Sequence, residues 1–381
     1  MSAIVMSDLT KRMGKKKVFQ NLNLEVLEGE FFALLGLEGA GKTTIAKIIF
    51  NYLKPAKGQI MVYDMDCAKD SKYIKESVSY IPEEAVFNEN IRASYLFKKT
   101  LVSHNLQNTD ELEKLLELFN FNQRLRFSEM TESEKKLFAV INALIIKPRL
   151  IIMDQPSKFL SNEQVSVLFA HLNYLKKSEG LTVFMLTDSL MEAQRYCDRA
   201  AYLYDGKIRD IEYLKDKISN DKLIRIHKNL SDLTPFTTIG AILLKDSPYE
   251  KIFYYDKDMN LLSNVISQHM IDDYTIENSS LRDKIAAYYD SENPYEVEVE
   301  YHRPIVAKSE TVVEEVTEMS EETTEVIQIE ENISGDPIST TVSQDTIQIA
   351  PKGTTLENGE IVMEDEDASE KEVEQWFFLG N

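Results

Sequence analysis

Nine consecutive residues carry the clearest chemistry in the chain. Gly36-Leu37-Glu38-Gly39-Ala40-Gly41-Lys42-Thr43-Thr44 fit the pattern G-x-x-x-x-G-K-[ST]. Glycines at these intervals let successive backbone N–H groups curl around a phosphate, and a helix beginning where the loop ends adds its positive dipole end. Lys42 is placed to reach β- and γ-phosphate oxygens, and the Thr43 hydroxyl can join a Mg²⁺ shell. The implied chemistry is the binding of a nucleoside triphosphate with its metal. Such a loop needs a metal carboxylate from the end of a neighbouring strand. Leu150-Ile151-Ile152-Met153 followed by Asp154 supplies one.

A strand must enter this loop and a helix must leave it. Phe31–Leu35 reads as the strand and Ile45–Phe50 as the helix. Further strand-like runs fall at Leu22–Val26, Leu150–Met153, Val183–Leu186 and Ala201–Tyr204, the last leading into an Asp205-Gly206 hairpin. Strands alternating with helices predict an α/β fold over residues 1–210. Between about 87 and 135 the pattern is charged and helical, with Leu112, Leu115, Leu116 and Phe119 at helix spacing. That stretch reads as a helical insertion. Residues 211–293 read as a small α+β C-terminal domain. Leu223–His227, Ile242–Leu244 and Lys251–Tyr255 are its strands, and Leu261–Met270 and Leu281–Tyr289 its helices. Ser280 and Asp283 form a cap signature for the last helix.

The charge is unevenly spread. Residues 295–381 hold 23 acidic and 4 basic side chains, a net of −19, which leaves only −2 of the chain's −21 for the rest. A nearly neutral body with an acidic, aromatic-poor tail excludes a nucleic-acid role, since no basic face remains to grip a phosphate backbone. The tail composition predicts disorder. Its end, Glu374-Gln375-Trp376-Phe377-Phe378-Leu379, holds the one tryptophan and is open to two readings, a docking motif for a partner or a solvated tail with an apolar end. Cys67 and Cys197 are too few for a disulfide framework. The longest apolar run, Leu137–Met153, is broken by Asn142, Lys147, Pro148 and Arg149, so it cannot span a bilayer.

With these motifs in place, residues 4–210 resemble the ATPase domain of ABC transporters. Ala139–Asp154 looks like that family's helix and metal-binding strand. Met191-Glu192-Ala193 through Cys197-Asp198-Arg199, then Asp205-Gly206-Lys207-Ile208, looks like its closing segment. Residues 211–293 resemble the small C-terminal domain of the efflux branch. The resemblance implies ATP and Mg²⁺ as ligands and head-to-tail pairing with a second ABC ATP-binding domain. It also implies a separate integral membrane permease that holds a cytoplasmic chain at the inner face of the membrane. Thr43, Asp154 and Glu83 would then lie on the metal side.

Several family positions depart from the pattern. Met13 stands where an aromatic stacks on adenine, and Glu83, after Pro82, stands for the loop glutamine. Met130 followed by Thr131-Glu132-Ser133-Glu134 replaces the signature L-S-G-G-Q. Gln155 occupies the general-base position and Asp188 the switch-histidine position, while Lys158-Phe159-Leu160-Ser161 replaces the loop that reads like S-A-L-D. An amide can orient water but cannot take its proton, which costs about 10²–10⁴ in rate, roughly 3–5 kcal/mol of barrier. Asp188, Glu132 and Glu134 would each set negative charge against phosphate. Changes at 83, 132, 155 and 188 together read as natural divergence rather than one trap substitution. The sequence thus predicts a transporter subunit that binds ATP and turns it over weakly or not at all. A nucleotide-gated scaffold and a competent but atypical ATPase are the competing readings.

Overall fold

The computed structural model describes residues 1–87, 90–107, 109–217, 220–228, 230–289 and 295. The expectations for the acidic tail lie outside the described residues.

Strands β1 (Ser2–Met13) and β2 (Lys16–Leu27) form a long hairpin, and β3 (Phe31–Gly36) runs straight into the phosphate loop and α1 (Lys42–Ile49). Next come β4 (Lys57–Val62), β5 (Met65–Asp66), α2 (Ser71–Ser77) and β6 (Val78–Ile81). The helical region is α3 (Ala93–Ser103), α4 (Asp110–Leu118) and α5 (Glu132–Leu144). Alternation then resumes with β7 (Leu150–Asp154), α6 (Asn162–Glu179), β8 (Thr182–Thr187), α7 (Leu190–Tyr196), β9 (Arg199–Tyr204) and β10 (Lys207–Tyr213). The C-terminal part holds β11 (Lys222–Ile226), α8 (Thr234–Thr238), β12 (Ile242–Asp246), β13 (Lys251–Tyr255), α9 (Met259–Gln268), β14 (Tyr274–Asn278) and α10 (Leu281–Tyr288).

Three sheets organise these elements. One is antiparallel in the order β2-β1-β4-β5, and another, also antiparallel, runs β12-β13-β11-β14. The central sheet runs β10-β9-β3-β8-β7-β6, parallel except for β10. Its inner parallel strands β3, β7 and β8 are buried along their whole length, as parallel strands usually are, whereas the antiparallel edge strand β10 is mostly exposed. Along β3, Phe31, Ala33 and Leu35 face a core shared with α5 and α6, while Phe32 and Leu34 face a second core under α1 and the β1–β2 hairpin. The period of two along each strand assigns alternate side chains to the two layers.

The C-terminal part differs from the expected boundary at 210. The β9–β10 hairpin turns on Asp205 (φ +48°) and Gly206 (φ +65°), the geometry of a tight two-residue turn. The returning strand continues to Tyr213, so the central sheet ends three residues beyond the expected boundary. Nor is this part detached. On α10, Leu281 and Ile285 join the core of β3 and α5, while Ala286 and Ala287 pack against Leu223, Leu244, Ile252 and Tyr254 of the last sheet. Ser280 caps α10 by accepting from the Asp283 N–H, as its sequence signature predicts. A charged network lies at the same junction: Lys284 Nζ donates to Glu212 Oε2 (2.6 Å) and lies 3.2 Å from Asp221 Oδ2, and Tyr202 Oη donates to Glu212 Oε2 (2.5 Å). Burial works against ionisation of Glu212, but the Lys284 ammonium outweighs it and brings its carboxyl down to about 2.

Candidate functional site

The parallel strands β6, β7, β8 and β3 all end at one edge of the central sheet. At such edges the strand ends and following loops converge, and ligands of open α/β sheets bind there. Leaving that edge are Pro82-Glu83 after β6, Asp154-Gln155 at the end of β7, Asp188 after β8 and the glycine loop after β3. A cavity of about 760 Å³ opens among them, lined by residues 38–44 together with Met13, Glu83, Asp154, Gln155 and Asp188.

The loop conformation follows from its glycines. Gly41 caps α1 with φ +103°, and a Cβ there would come within 2.6 Å of Val18 Cγ1, so a side chain is excluded by both backbone and neighbour. The Lys42 ammonium donates to the carbonyls of Gly36 (2.7 Å) and Leu37 (3.1 Å), and the Ala40 N–H donates to Leu37 O (3.1 Å). Gly36 and Leu37 therefore act on the site through their carbonyls rather than by lining the cavity. Burial lowers the Lys42 pKa, opposed by the nearby carboxylates of Asp188, Asp154 and Glu83. Thr43 Oγ1 donates to Asp154 Oδ2 at 2.5 Å, so two of the three expected metal residues meet, one in the first turn of α1 and one at the end of β7. Burial raises the Asp154 pKa and the Thr43 hydroxyl opposes the shift. Tyr80 Oη also reaches Asp154 Oδ2, at 3.4 Å.

The other expected residues have different surroundings. Glu83 lines the cavity, but its carboxylate is taken by Lys158 rather than joined to Thr43 and Asp154. Gln155 sits at φ +44°, its N–H bound to Leu186 O (2.9 Å) and its Oε1 accepting from Thr187 Oγ1 (3.4 Å). Asp188 is exposed at the cavity wall. Met13, 49% exposed on the β1–β2 turn, offers a thioether at the rim. Thr131, Glu132, Ser133 and Glu134 do not reach this cavity. They form the cap and first turn of α5, where the Glu134 carboxylate accepts from both N–H and hydroxyl of Thr131 (2.8 and 2.9 Å) and Glu132 pairs with Lys135 (2.8 Å).

Three side chains that the sequence did not assign to the site also shape it. Lys136 is buried and donates to the carbonyls of Pro82 (2.6 Å), Asp154 (2.9 Å) and Glu83 (3.2 Å), tying α5 to the ends of β6 and β7. Burial pulls its pKa down to about 7. A signal was present: Lys136 shares the helical stripe of Val140 and Ala143, so it points inward despite its charge. Glu192 on α7 accepts from Ser157 and from Thr187 Oγ1 (2.9 Å), and burial raises its pKa. Lys158 lines the cavity beside Glu83. The sequence marks both only as parts of family-like segments; the contacts they make have no signature outside three dimensions.

A glycine loop between a parallel strand and a helix, with a strand-end carboxylate on its threonine, defines a P-loop nucleotide-binding protein. Residues 19–158 match the ABC transporter family. The Nod factor export ATP-binding protein I of Rhizobium etli is 30% identical over 216 residues, covering 54% of this chain and 67% of that protein. The Fe(3+) ions import ATP-binding protein FbpC of Fusobacterium nucleatum is 25% identical over 296 residues, covering 76% and 79%. A solved ATP-binding subunit of an ABC transporter superposes with a TM-score of 0.53 at 25% identity, covering 56% of this chain and 91% of that one. The chain belongs to the ATP-binding subunits of ABC transporters. Among its described residues, no helix is long and apolar enough to cross a membrane.

Proposed function

We propose that this subunit binds Mg·ATP and hydrolyses it weakly or not at all on its own. One observation carries the reading: a single cavity holds the phosphate loop, Lys42 and the Thr43–Asp154 pair, but presents Gln155 and Asp188 where a base and a histidine are expected. Mg²⁺ keeps several waters and takes one or two protein ligands plus phosphate oxygens. Thr43 and Asp154 suit that role, and among the described residues no larger cluster of metal-binding side chains competes with them. The metal would neutralise phosphate charge. The chain's own groups bind the phosphates through backbone N–H and Lys42, and Gln155 orients water without accepting its proton.

The subunit works, in this reading, paired with a second ABC ATP-binding domain and docked on a separate permease at the inner face of the membrane. Relatives of both transport directions match. We assign efflux because residues 211–293 resemble the C-terminal domain of exporter subunits, and the relative named for export has the higher identity of the two. Equilibrium titration with Mg·ATP, alongside steady-state hydrolysis with and without the permease, tests the proposal. Binding lost in Lys42→Ala, with turnover far below binding occupancy, supports it. No Lys42-dependent binding contradicts it.

A further inference from the structure

Two positions that depart from the family pattern meet in space. Glu83 follows β6 and Lys158 follows β7, and the Lys158 ammonium donates to the Glu83 carboxylate, with Glu84 Oε1 3.7 Å away. On another side the ammonium lies 5.0 Å from the centroid of the Phe159 ring, a cation–π distance. Phe159 itself holds φ +69°, a left-handed conformation that disfavours an aromatic side chain. The backbone that carries Glu83, after β6, is fixed by Lys136 through the carbonyls of Pro82 and Glu83. A built cradle therefore holds one cation at the edge of the nucleotide cavity.

The charges of the cavity say what that cation can do. Glu38, Glu83, Asp154, Asp188 and Glu192 line it against Lys16, Lys42, Lys158 and Arg195. Lys42 is committed to the loop, and among these cations Lys158 is the one paired with Glu83. Glu83 without Lys158 would add another anion to a space meant for phosphate. Lys158 without Glu83 would leave an ammonium unpaired. Its side chain remains 41% exposed, so it can leave Glu83 without breaking a core contact. The third phosphate of a nucleotide is the strongest anion that can enter, and Asp188 repels it from the β8 side.

We propose that Lys158 reads the terminal phosphate. Without nucleotide its ammonium rests on Glu83 and Phe159. With a triphosphate bound it transfers to the γ-phosphate and releases Glu83, whereas a diphosphate leaves the pair closed. This rests on the reading above that the cavity binds nucleotide. It makes Glu83 a competitor for Lys158 rather than a metal ligand.

Isothermal titration of the full chain with Mg·ATP and with Mg·ADP tests the exchange. Lys158→Gln is expected to weaken ATP about tenfold, as loss of one charge-assisted contact does, with ADP changed less than about twofold. Lys158→Arg should keep the preference. Glu83→Gln is expected to strengthen ATP severalfold, and that gain should vanish in the Lys158→Gln background. Equal effects of Lys158→Gln on ATP and ADP, or no effect, would overturn the proposal. Weaker ATP binding in Glu83→Gln would overturn it too, by returning Glu83 to the metal. Absence of any binding sensitive to Lys42→Ala would bring down the nucleotide reading along with it.

Discussion

The phosphate-loop side of the cavity and its water side are built on neighbouring strands of one parallel sheet, and they have diverged in opposite ways. On β3 and α1, the residues proposed to hold phosphate or metal engage one another: Gly41 caps the helix, Lys42 crosses the loop and Thr43 meets Asp154 of β7. After β6, β7 and β8 stand Glu83, Gln155 and Asp188, at positions where the resemblance expects a glutamine, a glutamate and a histidine. Yet those positions are not loosely held. Gln155 is bonded to β8 through main chain and side chain, and Glu83 is paired with Lys158. On the proposed reading, these fixed contacts stand where turnover chemistry would otherwise act, as in a site that favours binding over release.

The largest effect should fall on the intact side. Lys42→Ala removes the ammonium from the loop and should lower Mg·ATP affinity by at least a hundredfold in titration, with little change in melting temperature. On the altered side, Gln155→Glu should raise hydrolysis only slightly, because Asp188 still faces the γ-phosphate. Gln155→Glu with Asp188→His should exceed the product of the separate gains, since residues of one constellation are not additive. A full recovery from Gln155→Glu alone would break the comparison, leaving the base as the sole defect.

A third prediction moves away from the cavity to the junction with the C-terminal sheet. Glu212 titrates at about 2 against 4.5 when free, and Asp198 is also lowered, because hydrogen bonds from Lys176, Lys215 and the Phe31 N–H outweigh its burial. Depressed carboxyl pKa values give stability that is complete above the unfolded value and lost as pH falls through the folded one. Melting temperature should therefore drop from about pH 4.5 downward. Glu212→Gln should remove about 1–3 kcal/mol at neutral pH, allowing for partial exposure, and flatten that slope. The smallest effect is expected at the base end. Met13→Tyr should raise ATP affinity by about threefold to tenfold, as an aromatic face gains stacking of roughly 0.5–1.5 kcal/mol.

The phosphate loop and its metal strand were legible because their function depends on local order: glycines at fixed intervals, then a helix, with an apolar run ending in Asp154. The six-stranded sheet was legible in part. β3, β7, β8 and β9 announce themselves as apolar runs, whereas β6 has only four residues; in the C-terminal sheet, β14 is an exposed edge strand, Tyr-Thr-Ile-Glu-Asn, with no buried alternation to find. The altered side could be located by position but not interpreted. That Glu83 and Lys158 pair, or that Lys136 anchors three carbonyls, depends on contacts between residues 18 to 75 positions apart. Sequence neighbours carry no trace of such contacts. The signature segment shows the converse: Thr131 and Glu134 match a capping box as well as a divergent signature, and within one chain the structure uses them as the cap.

The central claim, binding retained and turnover lost, is tested most directly by measuring both on one preparation. Purified chain at saturating Mg·ATP, with its permease present and Lys42→Ala as control, should show near-full nucleotide occupancy and hydrolysis at least a hundredfold below an ordinary base-assisted site. Restoring Gln155→Glu with Asp188→His should lift that rate. Wild-type hydrolysis at an ordinary transporter rate, abolished by Lys42→Ala, would contradict the account. It would require another group on the water side, with Glu192 the buried carboxylate nearest to Gln155 through Thr187, to supply the base.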